Sequence, residues 1–388
     1  MKFERFPSFI AHPGSLSEAV PYFQEQKVQR LFLLADPFLV SAGMIDALLD
    51  AFATADIDVT LFHDFTGEPK LTKMDDIIAL TRAKKCDGVM GIGGGSALDM
   101  AKIVSITLVA DRPADDYWMM AHPLPPKSLP SIMVPTTAGT GSETCSTNII
   151  ANRQGHKGWV WGPETKPDLI LFDAELGKSL PAALTGWCGM DAFIHAFESS
   201  TNNYTHDDAK AYGHHALTLA VDALPKVLAN GEDLEARQDM LIASACGGAA
   251  IDQVGTAIAH QISHAMASLA PIHHGHATAI GFEITLGWIL DGDLSDSAIA
   301  NFQQVADLFG LADYKDLPQF VTGFMDRCQI DRRLPASFAN FDKAELLKQL
   351  LADHTQSMRN ATVREPSEAD LAQMVEAIAA LPVMPLDH

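Results

Sequence analysis

The chain has few basic residues, few cysteines and no long apolar run, and each shortage argues against a class of protein. Its 388 residues include 27 Lys and Arg against 49 Asp and Glu, a formal net charge of −22. Clustered Lys and Arg bind phosphates, so this balance argues against nucleic-acid and anionic-membrane partners. No stretch approaches the roughly 20 apolar residues that span a bilayer. The first residues, Met1–Pro7, lack the apolar core of a signal peptide.

The five cysteines are odd in number and scattered without a CxxC spacing: Cys86, Cys145, Cys188, Cys246 and Cys328. This pattern is typical of reduced thiols, and we therefore expect a cytoplasmic protein. Hydrophobic residues make up 47% of the chain and charged residues 20%, as in ordinary folded proteins. A chain of this length favours two domains.

The first half alternates strand-like and helix-like segments. Short apolar runs at 30–35, 58–62, 88–92 and 131–135 predict buried strands, and helical periodicity covers 42–54, 74–84 and 97–107. This alternation predicts a parallel, Rossmann-like sheet with helices on both faces.

The second half shows helical patterns only. They cover 181–200, 207–229, 234–250, 252–268, 276–290, 295–309, 315–328, 343–353 and 367–380. We therefore predict an α/β dinucleotide-binding domain over 1–178 and an all-α metal-binding and catalytic domain over 179–388.

The third predicted strand runs into Gly93-Gly94-Gly95-Ser96 and then into a helix. A glycine cluster there lets the backbone approach a phosphate, which the N–H groups of the helix N-terminus can bind. The spacing Gly91-x-Gly93-x-x-Ser96 matches the dinucleotide fingerprint imperfectly, so a plain tight turn is an equally good interpretation of this stretch alone.

Two further features favour a nucleotide site. Asp36 follows an early strand, where an acid can accept hydrogen bonds from the ribose of NAD and repel the 2′-phosphate of NADP. A turn-forming Asp before Pro37 is the competing interpretation. The hydroxyl-rich loop Pro135–Glu143 follows another strand, and its small residues either bond a cofactor or merely satisfy a tight loop.

Histidines concentrate in residues 260–276, which hold five of the fifteen. His260 and His264 are four residues apart and share a helix face, and Asp191 and His195 repeat this spacing. Brought together, the two pairs would place a carboxylate and several imidazoles around a divalent cation. A lone His on an apolar helix is usually a core residue, but two such pairs argue against that interpretation. A metalloprotease HExxH site is excluded because a Gln follows His260 and cannot act as a general base.

These motifs resemble the iron-containing (group III) alcohol dehydrogenases, which have a dehydroquinate synthase-like fold. The matching stretches follow in order along nearly the whole chain: Gly93–Lys102, Pro135–Glu143, Gly189–Glu198, the HxxxH run at 260, His274-Gly275 and Val363–Leu371. The resemblance implies a metal-dependent oxidoreductase that transfers a hydride between NAD(H) and an alcohol/aldehyde pair, and it implies a homodimer.

Carried over by position, the resemblance implies the metal ligands Asp191, His195, His260 and His274, with His264 as the proton-handling residue. The family favours Fe²⁺, although three nitrogen donors and one oxygen donor also suit Zn²⁺. The implied cofactor-binding residues are Asp36, Gly93, Gly94, Gly95, Ser96, Asp99, Thr136, Thr137, Thr140, Ser142, Lys157, Leu180 and Leu184.

Beside the implied metal site, the sequence departs from the family pattern. Trp187 replaces a small residue, His273 replaces a proline, and Asp252-Gln253 precede the first ligand histidine of the run. We predict a pocket suited to a polar or polyol-type substrate; helix stabilisation by Asp252 and Gln253 is the equal alternative. The roles of His273 and His276 stay open.

Two other functions are weighed. A dehydroquinate synthase-like lyase would use NAD transiently, but the second half lacks an evident basic cluster for a phosphorylated acid. The second alternative is a non-catalytic protein that binds NAD or a metal. The presence of all four implied ligands and both loops argues against it.

Overall fold

The computed structural model describes residues 6–67, 70–126, 129–153 and 157–385. The chain divides into two compact units, Met1–Ser179 and Leu180–His388. The first is built from strands and helices, and the described part of the second is helical. The predicted fold class, a Rossmann-like α/β part followed by an all-α part, is confirmed.

A parallel sheet is the centre of the first unit. The strands are β1 (Ser8–Ala11), β2 (Arg30–Ala35), β3 (Asp58–Phe62), β4 (Gly88–Gly93), β5 (Ser131–Pro135), β6 (Thr147–Ala151), β7 (Lys157–Trp161) and β8 (Leu169–Phe172). Within the described residues, six of them form one sheet in the order β1-β8-β5-β4-β2-β3, with every neighbouring pair parallel. Strands β6 and β7 form a separate antiparallel pair.

Helices cover both faces of this sheet. They are α1 (Ala19–Glu25), α2 (Pro37–Ser41), α3 (Asp46–Thr54), α4 (Leu71–Lys84) and α5 (Gly95–Thr107). Successive strand residues point to opposite faces, so β2 contributes Phe32 and Leu34 to the core beneath α4 and α5. Its other face contributes Leu31 and Leu33 to the core beneath α1 and α3.

The helix predicted over 42–54 begins later, at Asp46. Gly43 precedes it with a φ of +68°, a left-handed conformation that a continuous α-helix does not allow. The strands β1, β6, β7 and β8 were not predicted; each is only four or five residues long, so its periodicity is weak.

The second unit packs its helices around α6. They are α6 (Ala182–Thr201), α7 (Asp207–Ala229), α8 (Leu234–Val254), α9 (Ile258–Leu269), α10 (His274–Leu290), α11 (Asp296–Leu308), α12 (Leu317–Arg327), α13 (Lys343–Leu351), α14 (Gln356–Ala361) and α15 (Glu368–Ala379). Helix α6 contacts α7, α8 and α10, and it is buried almost throughout from Thr185 to Thr201. Any polar side chain on α6 is therefore forced into the interior.

The boundary predicted at 251, between helices over 234–250 and 252–268, lies four residues further along the chain. Helix α8 ends at Val254 and α9 begins at Ile258, with a bend of 97° between them. Gly255 has a φ of +71°, which residues with a Cβ rarely adopt, and this ends α8. Within the described part of the chain, no single helix is long and apolar enough to cross a membrane; only the bent pair α8 and α9 passes that test of length and composition.

Candidate metal centre and cofactor loops

Side chains from α6, α9 and α10 converge inside the second unit. Asp191, His195, His260 and His274 each offer one ligand atom, and these atoms all lie within 4.8 Å of one another. Asp191 Oδ1 lies 3.5 Å from His260 Nε2 and 3.6 Å from His274 Nε2. Two atoms that bind one ion tetrahedrally at about 2.1 Å lie about 3.4 Å apart, so this spacing fits a divalent cation.

Two ligand atoms of this cluster are buried and have no hydrogen-bond partner among the described residues. Asp191, His195 and His260 are buried, and His274 is partly exposed. Neither Asp191 Oδ1 nor His260 Nε2 has a hydrogen-bond partner among the described residues. Because an unpartnered buried polar atom is costly, a cation between these atoms would stabilise the arrangement.

The electrostatics of the cluster favour an ionised carboxylate. Burial alone would raise the pKa of Asp191, but the neighbouring His195 and His274 outweigh it and hold this pKa well below its usual range. Burial likewise opposes the charged form of His260, yet the carboxylates of Glu198 and Asp191 raise its pKa to about 9. Asp191 therefore offers a negative oxygen to a cation.

Glycines allow the ligand-bearing helices to approach one another closely. A Cβ on Gly275 of α10 would lie 2.2 Å from the Trp187 carbonyl oxygen of α6 and 3.2 Å from Asp191 Cβ. A Cβ on Gly281 would lie 2.9 Å from the Ala259 carbonyl oxygen of α9. Backbone atoms cannot give way as a flexible side chain can, so these two crossings require glycine.

Two residues without a role in the sequence analysis contact the ligand histidines. Glu198 Oε2 lies 2.7 Å from His260 Nδ1, and Ser263 Oγ lies 2.9 Å from His274 Nδ1. Both residues are buried. A signal for Glu198 was present, because it is a charged residue in a largely apolar stretch of the same helix as Asp191, three positions after His195. Ser263 carried no comparable signal.

The remaining histidines of the run lie close by. The His264 ring is half-buried, with its centroid 5.7 Å from that of His274. Trp187 stacks on His276 and on His273, with centroid distances of 4.6 and 5.5 Å. Among the described residues, His273 Nδ1 and His276 Nε2 have no hydrogen-bond partner. Burial lowers the pKa of His273, and it lowers that of His276 to about 4, so both rings favour the neutral form.

Asp252 and Gln253 lie in the last turn of α8 and are half-buried. Gln253 Nε2 donates to the Ala249 carbonyl oxygen at 3.0 Å, a bond within the helix. This bond supports the interpretation that Gln253 stabilises the helix.

In the first unit, the predicted cofactor residues gather where the strand order reverses. The chain passes from β2 to β3 on one side and returns to β4 on the other. Open α/β sheets bind ligands beyond the carboxyl ends of the strands at such a switch point. Asp36 follows β2 and donates its N–H to the Ile92 carbonyl oxygen at 2.9 Å, and Thr136 donates its N–H to the Gly93 carbonyl oxygen at 3.0 Å.

The glycines of this loop lie between Asp36 and the second loop. A Cβ on Gly93 would lie 3.0 Å from Asp36 Cβ, and one on Gly95 would lie 2.9 Å from Thr140 Oγ1. A Cβ on Gly94 would lie 3.4 Å from Thr137 Oγ1. Helix α5 begins here without a side-chain cap from its N-cap residue Gly94, and uncapped N–H groups at a helix N-terminus attract phosphate.

Several predicted cofactor residues also make internal bonds. Asp36 Oδ1 accepts a hydrogen bond from Phe38 N at 2.9 Å and so caps α2, a contact that supports the structural interpretation of this residue. That cap leaves the prediction of cofactor binding standing, because Asp36 is only half-buried. Ser142 Oγ donates to Asp99 Oδ1, and both of these residues are buried. The contribution of this pair is therefore to fix the loop.

A buried lysine reinforces the second loop from beneath. Lys102 Nζ lies 3.4 Å from Asp99 Oδ1 and donates to the carbonyl oxygens of Ser142, Cys145 and Thr147. Beside it, Glu143 is buried and its Oε2 has no partner among the described residues. Burial raises the pKa of Glu143 to about 7.

Three predicted cofactor residues lie away from these loops in sequence. Lys157 begins β7, where its backbone pairs with Ala151, and its side chain lies outside the described part of the chain. Leu180 and Leu184 belong to the second unit; both are half-buried, before and within the first turn of α6.

Comparison with known proteins places the chain in a family. The model of iron-containing alcohol dehydrogenases matches residues 7–174, and the model of the C-terminal part of that family matches residues 185–381. The chain is 36% identical over 279 residues to the probable alcohol dehydrogenase EutG of Escherichia coli, which covers 71% of this chain and 69% of that protein. It is 31% identical over 276 residues to sulfoacetaldehyde reductase of Bilophila wadsworthia, which covers 71% of each chain.

A solved structure agrees with these sequence matches. Sulfoacetaldehyde reductase from Bifidobacterium kashiwanohense in complex with NAD⁺ superposes with a TM-score of 0.86 and 25% identity, over 98% of this chain and 99% of that one. The chain belongs to the iron-containing alcohol dehydrogenase family, as its motifs predicted, and it is an oxidoreductase. These matches favour the dehydrogenase over the lyase and non-catalytic alternatives.

Proposed function

We propose that the chain is an NAD(H)-dependent and metal-dependent enzyme that interconverts an alcohol and its aldehyde by hydride transfer. The observation that carries the proposal is the largely buried cluster of Asp191, His195, His260 and His274, in which two facing ligand atoms have no hydrogen-bond partner among the described residues. These four residues would hold Fe²⁺ or Zn²⁺. The bound ion would act as a Lewis acid that stabilises negative charge on the substrate oxygen.

The chain's own residues would supply proton transfer and orientation. His264 lies one helical turn after His260 with its ring beside that of His274, and we assign it the proton exchanged with the substrate hydroxyl. The partly exposed His274 marks the side on which the cluster is open to solvent. The buried His260 and His195 lie on the closed side.

The glycine loop would hold the cofactor. We assign the pyrophosphate to the N–H groups at the start of α5, around Gly94, Gly95 and Ser96, and the ribose to Asp36. Thr136, Thr137 and Thr140 follow β5 at the same edge of the sheet and offer hydroxyls. The NAD⁺ complex of the structurally similar sulfoacetaldehyde reductase supports this assignment.

We further propose a short, polar substrate. His273 and His276 each have a buried ring nitrogen without a partner among the described residues, and both rings stack on Trp187. Such nitrogens can bind a second hydroxyl or another polar group of a substrate. The sulfoacetaldehyde reductases among the similar proteins are named for a short polar aldehyde.

Two wider properties complete the proposal: a cytoplasmic location and a homodimer. The five cysteines are all free and buried, as expected in a reducing compartment. Light scattering of the purified chain would measure its mass against the 41.8 kDa of one copy.

A substrate screen tests the function directly. The purified chain, loaded with Fe²⁺ or Zn²⁺ under anaerobic conditions, is assayed with NAD(H) and NADP(H) against linear alcohols, diols and short polar aldehydes. We expect NADH consumption with an aldehyde and higher kcat/KM for polar substrates than for butanol. His273→Pro should reduce this preference, and faster turnover of linear alcohols would refute the polar pocket. Absence of redox turnover across the panel would refute the dehydrogenase.

A further inference from the structure

Glu198 connects a ligand histidine to the bend between α8 and α9. Both of its carboxylate oxygens are engaged: Oε1 accepts from Ala259 N at 2.9 Å, and Oε2 accepts from Ala257 N at 2.7 Å and lies 2.7 Å from His260 Nδ1. Ala257 and Ala259 lie at the N-terminus of α9, where backbone N–H groups lack helical partners. One buried carboxylate thus caps the helix and contacts the imidazole that the same helix carries.

The contact determines which nitrogen of His260 can bind a cation. A carboxylate accepts hydrogen bonds and does not donate them, so the proton of this contact lies on His260 Nδ1. A cation that binds this imidazole must therefore bind Nε2, which lies 3.5 Å from Asp191 Oδ1 and has no hydrogen-bond partner among the described residues. Metal-binding histidines commonly have such a carboxylate behind them, and it fixes both the ring orientation and the tautomer.

Helix α6 contributes three side chains to the site: two carboxylates and one imidazole. Asp191, His195 and Glu198 follow one another at spacings of four and three residues, so they lie on one face of this buried helix. Two of them face the shared point of the cluster, and the third reaches the back of His260. Helix α6 therefore positions two of the ligands, and through Glu198 it also positions His260, which belongs to α9.

We propose that Glu198 is a positioning residue that holds His260 in the Nδ1–H tautomer, with Nε2 directed at Asp191, and so raises the affinity of the site for its divalent cation. Ser263 makes the corresponding contact to His274 Nδ1 with a neutral hydroxyl. Because a charged acceptor bonds an imidazole N–H more strongly than a neutral one, His260 is the more firmly fixed of the two. The inference rests on the proposed metal site.

The same bend offers a matched control. Asn202, one turn after Glu198 on α6, donates through Nδ2 to the carbonyl oxygens of Val254 and Gly255, both at 3.1 Å. Asn202→Ala therefore loosens the α8–α9 connection without removing a contact to His260. If Glu198 served only to anchor this connection, the two positions would behave alike.

The test measures Co²⁺ binding to the metal-free full-length chain by competition with a chelator, together with the visible spectrum of the bound ion. We expect Glu198→Ala and Glu198→Gln to weaken Co²⁺ binding by about 10–100-fold and to alter the spectrum. Asn202→Ala should bind within a few-fold of the unmodified chain, with the same spectrum. If Glu198→Ala does not fold, the isosteric Glu198→Gln decides the result.

Three outcomes would overturn the assignment or its premise. Unchanged Co²⁺ affinity and spectrum in Glu198→Gln would show that the carboxylate does not position His260. An equal loss in Asn202→Ala would show that the bend alone matters. Absence of Co²⁺ binding by the unmodified chain would instead refute the proposed metal site, which keeps the two failures distinct.

Discussion

Side-chain atoms form the metal centre, where Asp191 Oδ1 and His260 Nε2 face each other at 3.5 Å. The cofactor loop instead consists mostly of glycine backbone, with Gly94 opening α5. At the metal centre the functional atoms are held by other side chains, Glu198 and Ser263. At the loop, buried side chains hold the backbone: Lys102 Nζ donates to the Ser142 carbonyl oxygen, and Asp99 Oδ2 accepts from Ile149 N.

This difference shows what each region can tolerate. A metal site depends on the chemistry of a few side chains, so replacing one ligand removes its function at once. A phosphate site depends on the conformation and closeness of backbone, so its residues matter through size, φ and buried support. Four substitutions sharpen the comparison, from the largest expected effect to the smallest.

The largest effect is expected from His260→Ala. Loss of one of the four donors should release the metal and lower kcat/KM by about a thousandfold or more, since a Lewis acid contributes several kcal/mol to such a reaction. NAD⁺ binding, measured by calorimetry, should change little because the glycine loop belongs to the first unit. His215→Ala, an exposed position on α7, is the control. Full activity in metal-free His260→Ala would contradict the metal site.

Gly275→Ala tests the helix crossing that supports the ligands. A methyl group would meet the Trp187 carbonyl oxygen at 2.2 Å, so we expect the free energy of unfolding to fall by about 3 kcal/mol or more. Gly287→Ala on the same helix has no atom within 4 Å of the new methyl and should be neutral or stabilising, by up to about 1 kcal/mol. Equal denaturant midpoints for the two variants would argue against the close crossing.

Glu143→Gln tests the buried support of the cofactor loop through pH. The folded pKa of Glu143 is about 7 against an ordinary 4.5 because the residue is buried. A raised carboxyl pKa favours folding below the ordinary pKa, and this contribution is lost as the pH rises through the folded value.

The unmodified chain should therefore lose up to about 3 kcal/mol relative to Glu143→Gln between about pH 4.5 and pH 7. Unfolding by denaturant across this range measures the difference. The control Glu365→Gln, at an exposed position, should show the same dependence of the free energy of unfolding on pH as the unmodified chain. Parallel curves for Glu143→Gln as well would show that Glu143 titrates normally.

The smallest effect is expected at Asp36, where two roles overlap. Asp36→Asn keeps an oxygen that can cap α2 but removes the charge, whereas Asp36→Gly removes both. If the carboxylate repels the 2′-phosphate of NADP, both variants should shift the NAD/NADP ratio of kcat/KM towards NADP by about tenfold, equivalent to about 1.4 kcal/mol. An unchanged ratio in Asp36→Asn would leave Asp36 as a cap only.

The strands β2, β4 and β5 could be predicted because each is a short apolar run buried inside the parallel sheet, whereas β3 lies at the edge of the sheet and is only partly buried. Strand β8 has the same character over only four residues and was missed. The break between α8 and α9 was predicted at 251, four residues too early, because the helical pattern continues to Val254 and only the backbone conformation at Gly255 ends the helix. A periodic pattern reports which face is buried, and it does not report φ.

The sequence determined the fold class through local patterns and paired Asp191 with His195 by their four-residue spacing on one helix, whereas the full set of four residues that the structure gathers was assigned by the resemblance to the family's motifs. Only the tertiary structure showed that Glu198 stands behind His260, that Ser263 stands behind His274 and that Gly275 lies against the Trp187 carbonyl. Those contacts join residues distant along the chain, and their geometry depends on how α6, α9 and α10 cross. Motifs along the sequence identify the four residues, and helix packing brings their ligand atoms within 4.8 Å of one another.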